Sequence, residues 1–242
     1  MIWWKTWLES RGRFLATMSM LTVGVVWWIL DAGRQMARYD IKPPMTFTRY
    51  VSIVYGVDIQ LLWVASCIIL GLGGLLRERA QGTAQFTLVL PISRQRWMAA
   101  RSAVAAAEAA LLALVPVIVI PITAALIGRA YPPFEALKFS ALLFFSGIVF
   151  LSLGLFYSSV LPGDVAAGGA GALSLYLAFN SQDYFYSWFP RLNISRFMSG
   201  FDFLDLKTGF LTGWPWSGVL ASLCIASLLM WAATQVVRQQ DF

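Results

Sequence analysis

Long runs of apolar residues recur along this sequence, and they constrain its fold more than any other feature. Hydrophobic residues make up 59% of the 242 residues and charged residues only 12%, against roughly 45–50% and about 25% in soluble domains. A helix needs about 20 predominantly apolar residues to cross a bilayer. We therefore predict an all-α membrane protein, with little room for a separate soluble domain.

Six of the apolar runs are predicted to be transmembrane helices. They cover Phe14–Leu30, Ile53–Leu76, Ser102–Ile127, Leu137–Leu161, Val165–Phe179 and Trp216–Val237. Residues 1–12 carry tryptophans on one helical face and charged residues on another, which predicts an amphipathic helix at the membrane interface. Residues 180–215 are polar but rich in aromatic side chains, and they predict one or two short helices lying at the membrane surface. Residues 1–242 thus form one membrane domain.

Several classes of chemistry find no support in the composition. The chain has no histidine, which removes the commonest catalytic base and metal ligand, so we expect no metal site. No nucleophile, base and orienting group cluster together as catalysis requires, and we expect no enzyme activity. The net charge of +6 is assigned to membrane topology and anionic lipid headgroups rather than to nucleic acid.

The most informative polar stretch lies between the second and third predicted spans, over residues 77–101. Gly82 permits a sharp change of direction, Thr83 can cap the next helical segment, and Pro91 ends a short apolar edge. The pattern predicts a helix-turn-helix elbow that projects from the bilayer and fits a groove on a soluble partner. The residues of interest are Arg77, Glu78, Arg79, Gly82, Thr83, Phe86, Pro91, Ser93 and Arg94, of which Ser93 begins a new helix.

This stretch resembles the cytoplasmic loop between the second and third spans of type-2 exporter permeases, the membrane subunits of ATP-binding cassette (ABC) transporters. The layout of nearly the whole chain is similar as well. It has a tryptophan-rich helix before the first span, six spans, a long outer segment before the last span, and a short basic-then-acidic tail. Residue-level matches are few.

The resemblance implies that residues 77–101 hold a coupling helix that docks on cytosolic ABC ATPase subunits. It implies a multi-pass protein of the cell inner (plasma) membrane with both termini cytoplasmic, although Lys and Arg divide evenly between the two sides. It also implies a dimer with a second permease subunit, identical or different. The expected activity is export of an amphipathic or hydrophobic substrate such as a drug, peptide or lipid.

The sequence places the motor on another polypeptide. The phosphate-binding motif Gly-x-x-x-x-Gly-Lys-Ser/Thr is absent, and an ATPase of this class requires it. We therefore expect no cofactor on this chain, with ATP and Mg bound by the partner ATPase. An alternative function is a non-transporting ABC-type membrane subunit used for sensing or mechanical signalling.

Glu108 is a carboxylate well inside a predicted span, where ionisable groups are costly and often functional. It is a candidate for the transport pathway. A snorkelling pair with Arg101 and a neutral hydrogen-bonded acid are equally compatible with the sequence. Asp58 is predicted to lie at headgroup level. A second alternative function is an intramembrane enzyme built on Glu108 and Asp58.

Overall fold

The structure is a computed structural model that describes residues 2–38, 45–72, 93–161, 163–180, 194–205 and 207–239. These ranges are almost entirely helical, and the only β-type pairing among them is an isolated bridge between Leu204 and Leu211. The α-helices are α1 (Ile2–Leu30), α2 (Ala32–Arg38), α3 (Phe47–Val54), α4 (Gln60–Gly71), α5 (Arg94–Leu126), α6 (Pro133–Val160), α7 (Asp164–Asn180), α8 (Ile194–Ser199) and α9 (Trp216–Gln239). The prediction of an all-helical membrane-type chain is confirmed.

Five helical stretches are long and apolar enough to cross a membrane: Trp3–Leu30, Phe47–Gly71, Arg94–Leu126, Pro133–Val160 and Trp216–Gln239. They match five of the six predicted spans. The remaining predicted span corresponds to α7, which has 17 residues and is about 25 Å long at 1.5 Å per residue. Because the hydrocarbon core is about 30 Å thick, α7 falls short of the length that the other five reach.

The predicted boundary after residue 12 is wrong, because α1 runs without interruption from Ile2 to Leu30. Lys5 pairs with Glu9 one turn later at 3.6 Å, a spacing that supports a continuous helix. Gly12 costs helix stability but does not by itself break a helix. At about 43 Å, α1 exceeds the thickness of the hydrocarbon core, so one helix provides both the tryptophan-rich segment and the first span.

The second span begins six residues earlier than predicted and contains a π-helical turn. Thr46 caps α3 by accepting a hydrogen bond from the backbone N–H of Arg49 at 3.3 Å. The π-helical turn Tyr55–Ile59 then connects α3 to α4. The helix ends at Gly71 rather than at Leu76, and residues 73–92 lie outside the described part of the chain.

The helix of the third span begins at Arg94, eight residues before the predicted Ser102, at the helix start that the sequence indicated at Ser93. Ser93 caps α5 by accepting a hydrogen bond from the N–H of Arg96 at 3.3 Å. The helix then continues through Pro116 and Pro121 to Leu126. The helix that Ser93 starts is therefore the third span itself, so a rigid element runs directly from the predicted elbow into the bundle.

Hydrogen bonds define two ends of the helix bundle. At the terminus end, Arg13 and Arg101 both reach the carbonyl of Leu72, and Arg94 reaches the carbonyl of Val237 near the end of α9. The first turns of α1 and α5 and the last turns of α4 and α9 therefore lie together. The loop end holds the start of α3, the start of α6 and the hairpin at residues 204–211.

Two glycines bring the backbones of α4 and α6 into direct contact near the terminus end. A Cβ on Gly71 would lie 2.7 Å from the backbone nitrogen of Leu155, and a Cβ on Gly154 would lie 2.7 Å from the carbonyl oxygen of Ile68. Small residues of this kind allow close helix packing in membranes. The contact fixes α4 against α6 just before the chain leaves the bundle at Leu72.

We predict that Gly154→Leu destabilises the protein because backbone atoms cannot move aside as a flexible side chain can. Overpacking usually costs about 1–3 kcal/mol, and the upper end is expected here. Thermal unfolding in detergent measures the effect. Gly169→Leu is the control, since a Cβ there meets nothing within 4 Å; equal unfolding temperatures for the two variants would contradict the close contact.

Candidate functional site

Most of the predicted coupling residues fall outside the described part of the chain: Arg77, Glu78, Arg79, Gly82, Thr83, Phe86 and Pro91. Ser93, Arg94 and Glu108 are described, and all three belong to α5 or its cap. The structure surrounds them with partners from α1, α4 and α9. These partners define a candidate site at the terminus end, around Leu72 and Ser93, the described residues on either side of residues 73–92.

Two arginines hold the last described carbonyl before residues 73–92. Arg101 Nη2 donates to the carbonyl oxygen of Leu72 at 2.6 Å, and Arg13 Nη1 donates to the same oxygen and to that of Ile69 at 3.5 Å. The last carbonyls of a helix lack intrahelical partners and carry the negative end of its dipole, so guanidinium groups stabilise them. We call this arrangement the arginine clamp.

Glu108 lies beside the arginine clamp in the interior of the bundle. Its side chain is only 1% exposed, and Ser10 of α1 donates a hydrogen bond to its Oε1. The positive charges of Arg13 and Arg101 both act on its carboxylate. Glu108 is thus a buried, hydrogen-bonded carboxyl next to two cations, and the alternative in which it snorkels to the interface does not fit.

Arg94, on the C-terminal side of residues 73–92, is hydrogen-bonded to the last span. Its Nη1 donates to the carbonyl oxygens of Val237 at 3.2 Å and of Arg238 at 3.4 Å. Leu72 and Ser93 flank residues 73–92, so both ends of that segment are bonded to neighbouring helices. The sequence indicated Arg94 but missed the roles of Ser10, Arg13 and Arg101. The one indication of these roles in the sequence was that polar and basic residues occur within apolar helices.

Within the segment predicted to lie on the membrane surface, the described helix α8 packs among the spans. Gln60, fully buried in α4, donates to the carbonyl oxygen of Ser195 at 3.0 Å and to its Oγ at 2.8 Å. Met198 fills the space beside Gly147 of α6, and Phe197 fills the space beside Gly218 of α9. The surface prediction is therefore wrong for α8, because these glycines provide sockets for its apolar side chains.

The hairpin at residues 204–211 fixes the same segment to the loop end. Thr48 Oγ1 donates to the carbonyl oxygen of Thr208 at 2.6 Å, and the N–H of Leu211 donates to Oε2 of Glu135 at 3.4 Å. Gly209 has φ +77° and lies directly against the backbone of Arg49. A glycine is needed there both for the left-handed conformation and for the close approach.

We predict that the hairpin is sensitive to acid. The backbone N–H of Lys207 and then the hydroxyl of Thr208 lower the pKa of Asp205 below its ordinary value. The stabilising effect of its carboxylate is therefore present above an unfolded pKa of about 3.9 and is lost as pH falls through the lower folded pKa. Comparing thermal unfolding of wild type and Asp205→Asn should show a difference at pH 7 that begins to shrink below about pH 3.9 and disappears once the pH is below the folded pKa. A pH-independent difference would contradict this assignment.

Asp58 and Glu108 belong to different parts of the bundle. Asp58 lies in the π-helical turn, where Gly56 packs against Ser199 and Phe201 near the loop end. Glu108 lies with Ser10 and the arginine clamp. The structure gives no support to a shared catalytic site, and no group of three or more possible metal ligands occurs among the described residues.

Comparisons with known proteins do not assign a function to this chain. No protein family, no curated protein and no solved structure matches this chain. The functional argument therefore depends on the sequence pattern of residues 77–101 and on the contacts at the two ends of residues 73–92.

Proposed function

We propose that this chain is the membrane-spanning permease subunit of an ABC exporter. It couples ATP hydrolysis by a separate ATPase subunit to export of an amphipathic or hydrophobic substrate, in a dimer with an identical or similar subunit. The terminus end of the bundle is cytoplasmic in this proposal. The ATPase binds the elbow within residues 77–101, through residues that include Glu78 and Gly82.

The observation that carries the proposal is that Leu72 and Arg94, on either side of residues 73–92, are both hydrogen-bonded to other helices. The arginine clamp joins Leu72 to α1 and α5, and Arg94 joins the start of α5 to α9. A force applied to the elbow is therefore passed to four spans, α1, α4, α5 and α9, rather than absorbed by one. A discrete rearrangement of packed helices is the usual structural response to such a force.

The test compares binding and stimulation of the ATPase by elbow variants. The full-length protein is purified from its native membranes with its bound soluble proteins, and nucleotide hydrolysis is measured. Glu78→Arg and Gly82→Pro should lose the hydrolase while the membrane part stays folded. Arg34→Glu is the control, because Arg34 is 85% exposed next to Asp31 in α2, away from the clamp.

The outcomes separate the proposal from its alternatives. Normal binding and stimulation in both elbow variants would show that the elbow is not the docking site. Hydrolysis without flux of any candidate substrate in reconstituted vesicles would support the non-transporting, signalling subunit.

A further inference from the structure

The helix α8 fills a position in the middle of the bundle, where both hydrogen bonds and apolar packing hold it. It is six residues long, and Gln60 donates two hydrogen bonds to its Ser195. Phe197 and Met198 pack against glycines of α9 and α6. At its C-terminal end, Gly200 has φ +65°, which gives the chain a sharp turn after α8.

Several polar atoms on the helices around α8 are buried without a hydrogen-bond partner in the described part of the chain. They are Gln60 Oε1, Trp63 Nε1, Ser146 Oγ and Ser222 Oγ, and all four side chains are fully buried. Other buried serines of the same helices bond back to the preceding turn, as Ser66 does to Leu62 at 2.7 Å. A buried polar atom without a partner costs about 1–3 kcal/mol, and lipid around the bundle offers no replacement.

Two of these groups lie on α4, and a third lies on the neighbouring helix α6. Gln60 and Trp63 are one helical turn apart on α4 and so share a face. The Trp63 ring and the end of Met198 both lie against Gly147, which is adjacent to Ser146 in α6. Met198 of α8 therefore lies next to α4 and α6, the two helices that carry these polar atoms without partners.

We propose that Gln60, Trp63 and Ser146 form a binding site for a neutral hydrogen-bonding group of the cargo, and that α8 is a plug that occupies this region in the present state. The site offers an amide oxygen acceptor, an indole N–H donor and a hydroxyl that does both. That set fits an amide or a hydroxyl group. No charged side chain is part of it, and a charged group would be costly there.

The proposal rests on the proposed export function, which supplies the cargo, but it explains an independent observation. Polar atoms that stay unbonded while α8 is in place are paired when it withdraws and a polar group of the cargo enters. The π-helical turn Tyr55–Ile59 faces the same helix through Gly56, which lies against Ser199 and Phe201. Such turns recur at functional sites.

The plug is tested by the accessibility of Ser146→Cys to a membrane-impermeant methanethiosulfonate reagent. The full-length chain carries Cys67→Ala and Cys224→Ala and is placed in phosphatidylethanolamine–phosphatidylglycerol vesicles. Gln60→Leu, which removes both bonds to Ser195, and Met198→Ala, which removes packing, should each raise the labelling rate at least about tenfold. Unchanged rates in both would overturn the plug.

Three control variants show whether a change in the labelling rate comes from movement of α8. Tyr55→Phe removes a buried hydroxyl whose hydrogen bonds are to α6, with the carbonyl of Ala136 at 3.2 Å and the hydroxyl of Ser140 at 3.3 Å, so it should leave the rate unchanged. Ser152→Cys should stay unlabelled in every variant, since Ser152 is buried in α6 with its hydroxyl bonded to Ile148. Lys207→Cys, exposed on the hairpin, should label at one rate throughout.

The ligand class is tested in the Met198→Ala background, where Gln60 and Trp63 are retained and the thiol of Ser146→Cys replaces the hydroxyl of the third site residue. N-methyldodecanamide should slow labelling of Ser146→Cys, while dodecane at the same concentration should not. Equal protection by both, or none, would overturn the polar site. No ATPase is needed, so a bundle that opens and is protected but never binds a hydrolase would refute only the proposed function.

Discussion

Glu108→Ala is expected to destabilise the protein by about 1–3 kcal/mol, the cost of removing one partner of a buried hydrogen bond. In the variant, the guanidinium groups of Arg13 and Arg101 would keep their positions beside Leu72 but lose the carboxylate that acts on both. Ser10 would also lose its acceptor. Thermal unfolding in detergent, or the folded fraction where the variant is too unstable to purify, measures the loss.

Two further substitutions separate charge from packing at Glu108. Glu108→Gln keeps an oxygen for Ser10 but removes the charge, so its loss should fall between wild type and Glu108→Ala. Glu9→Ala removes the exposed partner of Lys5 and should cost no more than about 1 kcal/mol. An effect of Glu108→Ala as small as that of Glu9→Ala would show that Glu108 does not balance the clamp.

Arg101→Ala is expected to uncouple hydrolysis from the bundle without releasing the ATPase. The substitution frees the carbonyl of Leu72 from α5, so motion of the elbow is no longer shared between α4 and α5 through this bond. Coupling energies of about 1–3 kcal/mol correspond to 5–150-fold effects, and we expect at least a fivefold loss of ATPase stimulation with normal co-purification. Elbow variants should lose co-purification itself.

Arg129→Ala provides the control for Arg101→Ala. Both arginines lie over an aromatic ring, Arg101 at 5.7 Å from Trp97 and Arg129 at 5.4 Å from Phe47, but Arg129 is exposed at the loop end. Stimulation should be unchanged in Arg129→Ala. An equal loss in both variants would mean that the clamp carries no specific coupling.

The features that the sequence predicted correctly are those that depend on local chemistry. Apolar length gave five of the spans, and the capping preference of serine gave the start of α5 at Ser93. It could not give the partners of Arg13 and Arg101, because a guanidinium bonded to a carbonyl 29 or 59 residues away leaves no local pattern. It misplaced α8, since aromatic residues are as suitable for a membrane interface as for the sockets beside Gly147 and Gly218.

The continuity of α1 and the π-helical turn show the same limit. Gly12 has no preference strong enough to end a helix against 29 residues of otherwise helical sequence. The turn at Tyr55–Ile59 depends on the packing of Gly56 against α8. Local sequence rules predict neither the continuous α1 nor the π-helical turn, and both features position the candidate sites.

Photo-crosslinking from the elbow in native membranes tests the central claim most directly. A benzophenone side chain replaces Phe86, and a second variant carries it at Lys207 on the hairpin as the control. We predict that position 86 crosslinks to a soluble protein with a phosphate-binding Gly-x-x-x-x-Gly-Lys-Ser/Thr motif, and that position 207 does not. Crosslinks from position 86 that reach only extracytoplasmic proteins, or that never include a nucleotide hydrolase, would contradict the account.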